Sequence, residues 1–507
     1  MMFTSTADVL RRRAQQHPDR VAISFEGDVR TYAQLDHRSN RLAHALAAAG
    51  AGRGDRVAVL DRNRLEHAEI MFGAAKLGAT YLPINWRLAA DEVAYVLANS
   101  GASVVLVGTD FHDLLARTTT RPRIIDLDTE YGELLDDQPA TDPGFAPAPT
   151  DTALQMYTSG TTGLPKGVLL SHAALCRAAA LGAAWGMAED TVALACMPLF
   201  HMSGTSWSFV CLFHGGHVVL LRDPDPVGIL RAISTERVSH ALLVPAVMQM
   251  LLAHSDAATA DFSSLRRMVY GGSPISPDLL AEGIKTLGCD FMQLYGLTES
   301  TGLGTVLDPQ DHLRDERLLR SVGKPAEGVE LRIVDPTTAT DAAVGEVGEV
   351  WLRSGSIMTG YWQDPAASDE VLLAEGWLRT GDAGYLDADG FVFLHDRVKD
   401  MIVSGGENVY PAEVERVLGE HPAVADVAVI GVPDDRWGET VKAVVVLAPG
   451  KEVDSSTLID FTRERLAHYK CPTSVDFVAD LPRNASGKVL KRQVREPYWE
   501  GHTRRVN

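Results

Sequence analysis

Apolar residues in this chain fall into short β-branched runs, each followed by a segment with helical spacing. Val-Ala-Val-Leu at 57–60 is one such run, and the pattern around His67 to Leu77 predicts the helix that follows it. Residues 104–108 again read as a strand. This alternation predicts α/β layers built on parallel sheets. The stretch 136–152, rich in Pro, Asp and Ala, reads as a connecting loop. Beyond Asp396 the pattern changes to a compact α+β one. Pro411 opens a helix that runs to about Gly419. Residues 424–432 and 440–447 are β-branched strands, and 455–466 is a helix capped by Asp454 or Ser455. The expected organisation is a large N-terminal domain, 1–396, and a small α+β domain, 397–507.

Size and charge narrow the function classes. At 507 residues the chain exceeds one ordinary core, which agrees with two domains. A net charge of −20 argues against a nucleic-acid or anionic-membrane binder, since both need a basic face. Any nucleotide must therefore be held by local backbone amides and a few chosen cations. Cys176, Cys196, Cys211, Cys289 and Cys471 are scattered and never at metal-ligand spacing, as expected for reduced core thiols of a cytoplasmic protein. Arg11-Arg12-Arg13 stands where the apolar core of a leader would lie, so no signal peptide is expected. The longest apolar stretch, 241–253, is too short to span a bilayer and contains Gln249, so no transmembrane segment is expected. Peripheral membrane contact stays open.

Six segments carry candidate chemistry. The first is Tyr157-Thr-Ser-Gly-Thr-Thr-Gly-Leu-Pro-Lys-Gly-Val168, leaving the apolar run 153–157. Hydroxyls, glycines and a lysine packed this closely offer a phosphate bare amides, donors and a point charge. It is not a Walker A loop, because Gly167 follows Lys166 where Ser or Thr would be needed. The second is Gly271-Gly272-Ser273-Pro274 after the strand-like 268–270, with Ser276-Pro277 opening a helix that Gly288 closes. A strand, a glycine turn and a helix start form a common nucleotide crevice, although a tight structural turn would look the same. The third is Tyr295-Gly-Leu-Thr-Glu299 after a strand at 290–294; a carboxylate beside a hydroxyl there suits Mg²⁺ against a triphosphate. The fourth is Thr380-Gly381-Asp382, whose aspartate is a natural acceptor for ribose hydroxyls. The fifth runs from Asp396 through Gly405-Gly406 to Glu415, and the last is Pro482-Arg-Asn-Ala-Ser-Gly-Lys488.

In order and spacing these segments resemble the adenylate-forming superfamily: acyl-CoA synthetases, peptide-synthetase adenylation domains and firefly luciferase. The match extends from Thr31-Tyr32-Ala33-Gln34-Leu35 to Lys488. It is similar above all to bacterial fatty acyl-CoA ligases and plant coumarate–CoA ligases, in "SGGENVYPAEVE" and "PRNASGKVLKR". The resemblance implies a large domain of layered sheets and helices with a mobile C-terminal lid. It implies that Thr158, Ser159, Gly160, Thr161, Thr162 and Lys166 hold phosphates, and that Gly271, Gly272, Ser273 and Tyr295 flank adenine and acyl group. Thr298 and Glu299 would serve the α-phosphate and Mg²⁺, Asp382 and Arg397 the ribose, and Lys399 the interdomain hinge. Lys488 would bridge the acid and the α-phosphate, Gly405 and Gly406 would line the CoA channel, and His201 would be a pocket residue near the acyl and CoA entrance. The reactants implied are a carboxylic acid, ATP with Mg²⁺, and CoA. A homodimer stays open.

The implied chemistry needs no protein nucleophile. Carboxylate attack on the α-phosphate makes a mixed anhydride and expels pyrophosphate, and a thiol then displaces AMP. The first step joins two anions, so Lys488, Lys166 and the metal must offset their repulsion. Three other functions share parts of this pattern. An amino-acid adenylation enzyme feeding a carrier protein usually places an aspartate after a phenylalanine; here Phe200 is followed by His201. A luciferase-like oxygenase shares the motifs but is rarer. A catalytically dead nucleotide-binding regulator fits poorly with intact Lys166, Glu299, Asp382 and Lys488. Expected pocket walls are His201, Trp207, 244–248 and 302–305. Gly302 and Gly304 leave room for a chain or ring, and Trp207 would cap the space. A medium- or long-chain fatty acid is the first expectation and an aryl or alicyclic acid the second.

Overall fold

The computed structural model describes residues 3–158, 165–273, 275–335, 338–397, 400–404, 407–434, 438–466, 468–483 and 489–500; at 395–397, 403, 407, 408, 438 and 469 this covers the backbone alone. The chain divides into two compact units: Met1–Leu331 with Leu352–Arg379, and Arg332–Trp351 with Thr380–Asn507. The crossings fall inside the strands Glu330–Val334, Gly348–Arg353 and Trp377–Leu386.

The first unit holds two large sheets. In the nine-stranded one, Asp290–Tyr295, Arg267–Gly271, His240–Leu243, Val192–Ala195, His217–Leu220 and Val21–Phe25 run side by side and parallel. The seven-stranded sheet places Thr152–Thr158, Thr80–Pro83, Arg56–Leu60, Val104–Val107 and Arg123–Asp126 in parallel. Strands such as Val104–Val107 are buried at every position, as parallel strands covered on both faces must be. The expected helix after 57–60 is Glu66–Leu77, ended by Gly78 in the left-handed region (φ 83°). It packs against Tyr32–Ala48, whose N-terminus carries a complete capping box from Thr31 and Gln34. The apolar stretch 241–253 proves to be two elements. Pro245 stops the strand His240–Leu243 and opens the helix Pro245–Ala253. No helix among the described residues is long and apolar enough to cross a membrane.

The second unit has a four-stranded sheet, Glu330–Val334, Gly348–Arg353, Trp377–Leu386 and Val392–Arg397, and a separate sheet centred on the hairpin Val424–Asp434 and Gly438–Leu447. Helix Pro411–Gly419 starts on its proline, and Ser455–Arg463 is capped by the Asp454 side chain. Val414, Leu418, Val429, Val441, Ala443, Val445 and Leu458 form a core there. The fold is thus α/β and α+β, with the larger part N-terminal, as the patterning predicts.

Candidate active site

Four parallel strands of the nine-stranded sheet deliver their C-terminal ends to one edge. Val192–Ala195 leads to Met197-Pro-Leu-Phe-His201, His240–Leu243 to Val244, Arg267–Gly271 to Gly272-Ser273, and Asp290–Tyr295 to Gly296-Leu-Thr-Glu299. Ligands of parallel α/β sheets bind in such a crevice. The edge therefore gathers His201, Gly271, Gly272, Ser273, Tyr295, Thr298 and Glu299, all read from sequence as site residues.

Backbone crowding shapes it. A Cβ on Gly271 would lie 2.2 Å from the Leu294 carbonyl oxygen, so the two strands tolerate only hydrogen there. A Cβ on Gly296 would lie 2.3 Å from the Gly302 carbonyl carbon, where the chain doubles back through Thr301 (φ 57°) and the Gly302 amide donates to the Leu297 carbonyl at 2.7 Å. The fold of this turn presents Thr298 and Glu299 in a short 3₁₀ segment, Thr298–Ser300. Helix Pro277–Leu287 begins on Ser276, whose hydroxyl accepts from the Leu279 amide, and ends at left-handed Gly288, as expected.

The seven-stranded sheet contributes a hairpin. Thr158 and Lys166 are paired partners at the end of the antiparallel strands Thr152–Thr158 and Lys166–Ser171 where the chain passes from one strand to the other. Ser159, Gly160, Thr161 and Thr162 lie outside the described residues. The short strand Gly360–Tyr361 adds to the same hairpin, with Tyr361 opposite Val168. Tyr361 then links both sheets. Its hydroxyl donates to a Glu299 carboxylate oxygen at 2.9 Å, while the Lys166 ammonium lies 5.0 Å from its ring centroid. The Met358 amide donates to the Glu299 carbonyl at 2.8 Å, and the Trp362 amide to the Gly167 carbonyl at 2.7 Å. Sequence reading passed over Tyr361. Its available signal was the Gly-Tyr-Trp run at 360–362, which looks like any short apolar strand.

His201 precedes helix Met202–Phe213 as its N-cap. Its ring packs 4.5 Å from that of Phe200, and its buried Nε2 has no hydrogen-bond partner among the described residues. Burial, helped by the positive charge of Arg87, holds its pKa down at about 4. It is therefore a neutral imidazole with an unfilled hydrogen-bonding position. Trp207 is 2% exposed and its indole N–H donates to the Leu194 carbonyl at 2.9 Å. The indole is thereby fixed against strand Val192–Ala195. Leu303 and Thr305 are likewise buried, with the Thr305 hydroxyl bound to the Val322 carbonyl, so within 302–305 the backbone glycines remain as the candidate walls.

In the second unit, Asp382 is buried in strand Trp377–Leu386, directly opposite Arg397 on the neighbouring antiparallel strand. The Thr380 hydroxyl donates to the Val350 carbonyl at 2.6 Å and accepts from the Asp382 amide at 3.0 Å. The Gly381 amide donates to the buried Glu349 carboxylate at 3.1 Å. The two residues assigned to ribose thus share a register position in the backbone ladder; of the Arg397 side chain nothing is described. Lys399, Gly405, Gly406 and Lys488 lie outside the described residues.

The donor set suits Mg²⁺. Glu299 and Thr298 supply hard oxygens, and no group of three or more His, Cys, Asp or Glu that would cage a metal occurs among the described residues. Mg²⁺ is commonly held this way, by one or two carboxylates with substrate phosphates and water supplying the rest.

Comparison with known proteins agrees with this geometry. A family model described as AMP-binding enzyme matches residues 10–362, and one described as AMP-binding enzyme C-terminal domain matches 413–488. A fatty acid–[acyl-carrier-protein] ligase of Streptomyces coeruleorubidus is 40% identical over 97% of this chain and 96% of its own length. A feruloyl-CoA synthase of an Amycolatopsis species is 40% identical over 96% of this chain and 98% of its own. The crystal structure of ATP-bound MatB from Rhodopseudomonas palustris superposes with a TM-score of 0.90 at 30% identity, covering 98% of this chain and 100% of that one. With matches of this extent, the chain belongs to the AMP-binding, adenylate-forming enzyme family and is an AMP-forming acid–thiol ligase.

Proposed function

We propose that this ligase activates a medium- or long-chain fatty acid with ATP and Mg²⁺ and transfers the acyl group to CoA. The observation that carries this reading is the crevice edge itself. Apolar and side-chain-free positions follow the strands of the same sheet edge that carries Glu299. A Cβ on Gly272 would sit 3.5 Å from a Val244 methyl, and one on Gly302 would sit 3.8 Å from the Met202 Cβ. An acyl chain laid there meets hydrocarbon while its carboxylate end faces the charges.

In this reading Thr158, Ser159, Gly160, Thr161, Thr162 and Lys166 grip the β- and γ-phosphates, and Glu299 with Thr298 holds the metal against the α-phosphate. Bound Mg²⁺ would neutralise charge on the phosphate oxygens. Gly271, Gly272, Ser273 and Tyr295 flank the adenine and the acyl carbonyl. Asp382 accepts from the ribose hydroxyls, with Arg397 opposite it. His201, being neutral, takes or gives a hydrogen bond at the reacting acyl group without adding charge to the pocket. Lys488 brings the carboxylate and the α-phosphate together in adenylation, and Gly405 and Gly406 border the path of the CoA thiol afterwards. The lid is 397–507 and turns about Lys399 between the two half-reactions. None of the five cysteines is in a disulfide, which suits a cytoplasmic setting.

A second reading has specific support. The Streptomyces coeruleorubidus relative is named for an acyl-carrier-protein acceptor, and the Amycolatopsis relative for the aryl acid ferulate. The test is thiol consumption across fatty acids of increasing length, ferulate and alicyclic acids, with CoA and with a pantetheinylated carrier protein as acceptors. Fatty acid with CoA should give the highest kcat/KM; preference for ferulate or for the carrier protein would replace the proposal. Lys488→Ala should nearly abolish pyrophosphate exchange while thioester formation from supplied acyl-adenylate persists. Equal loss in both halves would contradict the lid assignment.

A further inference from the structure

A lysine and a glutamate that serve the same triphosphate have an obvious way to fail, which is to bind each other. Lys166 and Glu299 are placed for it, since both approach Tyr361. Yet the ammonium rests on the ring face, and the carboxylate takes the hydroxyl at the ring's far end. We propose that Tyr361 is a positioning residue whose ring is a wedge between Lys166 and Glu299, preventing the ion pair that would neutralise both. This rests on the reading in which Lys166 serves phosphate and Glu299 the metal.

The wedge is anchored on both sides by main chain. Tyr361 pairs with Val168, two residues along the strand from Lys166, and its amide donates to the Ser368 hydroxyl at 2.8 Å. On the other side Met358 holds the Glu299 carbonyl. Trp362 braces the far end: its indole N–H donates to the Asn99 carbonyl at 2.9 Å, and the Arg56 guanidinium stacks 3.3 Å from its ring centroid. The main chain from which the ring projects is thereby fixed against both sheets, and its hydroxyl is held on Glu299.

The chemistry of the two contacts fits the task. An ammonium on a π face is held more weakly than one in a hydrogen-bonded ion pair, and a phosphate oxygen can take it over. A single phenol donor occupies one carboxylate oxygen and leaves the other lone pairs for a cation. Each charge is held in place without being used up.

The test is calorimetric binding of α,β-methylene-ATP, whose methylene bridge cannot break to transfer AMP, with and without Mg²⁺, on variants whose melting matches the parent. Without Mg²⁺, Tyr361→Ala should bind about tenfold more weakly, because Lys166 is captured by Glu299. Adding Glu299→Gln to that variant should restore parental affinity, which a merely structural defect would not allow. Tyr361→Phe keeps the ring, so metal-free affinity should stay within about twofold, while the Mg²⁺ half-saturation rises about threefold or more for want of the phenol donor. If Tyr361→Ala melts early, Tyr361→Ser takes its place in the same cycle. Unchanged affinity in the small-side-chain variant, or failure of Glu299→Gln to rescue it, overturns the wedge. Lys166→Met in the parent separates the two claims: if it leaves nucleotide affinity unchanged, the phosphate role of Lys166 fails instead.

Discussion

Two carboxylate clusters in the first unit use opposite rules. Glu69, fully buried, accepts from Arg30 Nε at 3.3 Å, Arg38 Nε at 2.5 Å and the Tyr131 hydroxyl at 2.8 Å. Near it, Lys76 is buried with its ammonium on Asp36 and Asn40 at 2.5 and 2.6 Å. Every charge there is saturated by a direct partner, which is how a charge survives burial. Glu299 and Lys166 are instead joined through one tyrosine and left with unused capacity. The difference separates charge that holds the fold together from charge kept for a ligand.

Breaking the saturated cluster should have the largest effect. Glu69→Ala takes the shared acceptor from two half-buried arginines and from the buried Tyr131 hydroxyl, so it should cost about 3 kcal/mol of stability and lower the melting temperature. The turnover of whatever remains folded should match the parent. Glu299→Gln should do the reverse: pyrophosphate exchange falls on the order of 10²–10³-fold and becomes insensitive to Mg²⁺, with the melting temperature nearly unchanged. Lys166→Met should lower exchange by roughly 10–100-fold, mostly through the KM for ATP, again without loss of stability. Parental activity in either variant would erase the distinction between the clusters.

The smallest effect comes from buried histidines that belong to neither cluster. Burial holds His67, His172 and His240 down at about 4, against 6.5 when exposed. Between those values the unfolded chain binds more protons than the folded one, so stability falls as pH drops through that window. The melting temperature should decline by roughly a few degrees from pH 7 to 6, while the stability cost of Glu69→Ala stays the same. A flat profile would mean that these histidines are not neutral in the fold.

Much of this was legible in the chain because it is local. Ser276, Pro277 and Gly288 bracket a helix by rules that act within a turn, and the strand at 57–60 declares itself by its run of buried side chains. The site was legible where chemistry concentrates in few residues, as in 157–168 and 295–299. Tyr361 was not, because its meaning lies in strand pairing with Val168 and in contacts to residues far away in sequence. The anchoring of Trp207 was equally hidden, because the carbonyl that holds its indole N–H, that of Leu194, lies on a different element.

The most direct measurement is ATP–pyrophosphate exchange on the parent protein, with Mg²⁺ and a fatty acid supplied or withheld. Exchange should require the acid, the nucleotide and the metal together. Exchange that proceeds equally without any carboxylic acid, or without Mg²⁺, would contradict the account.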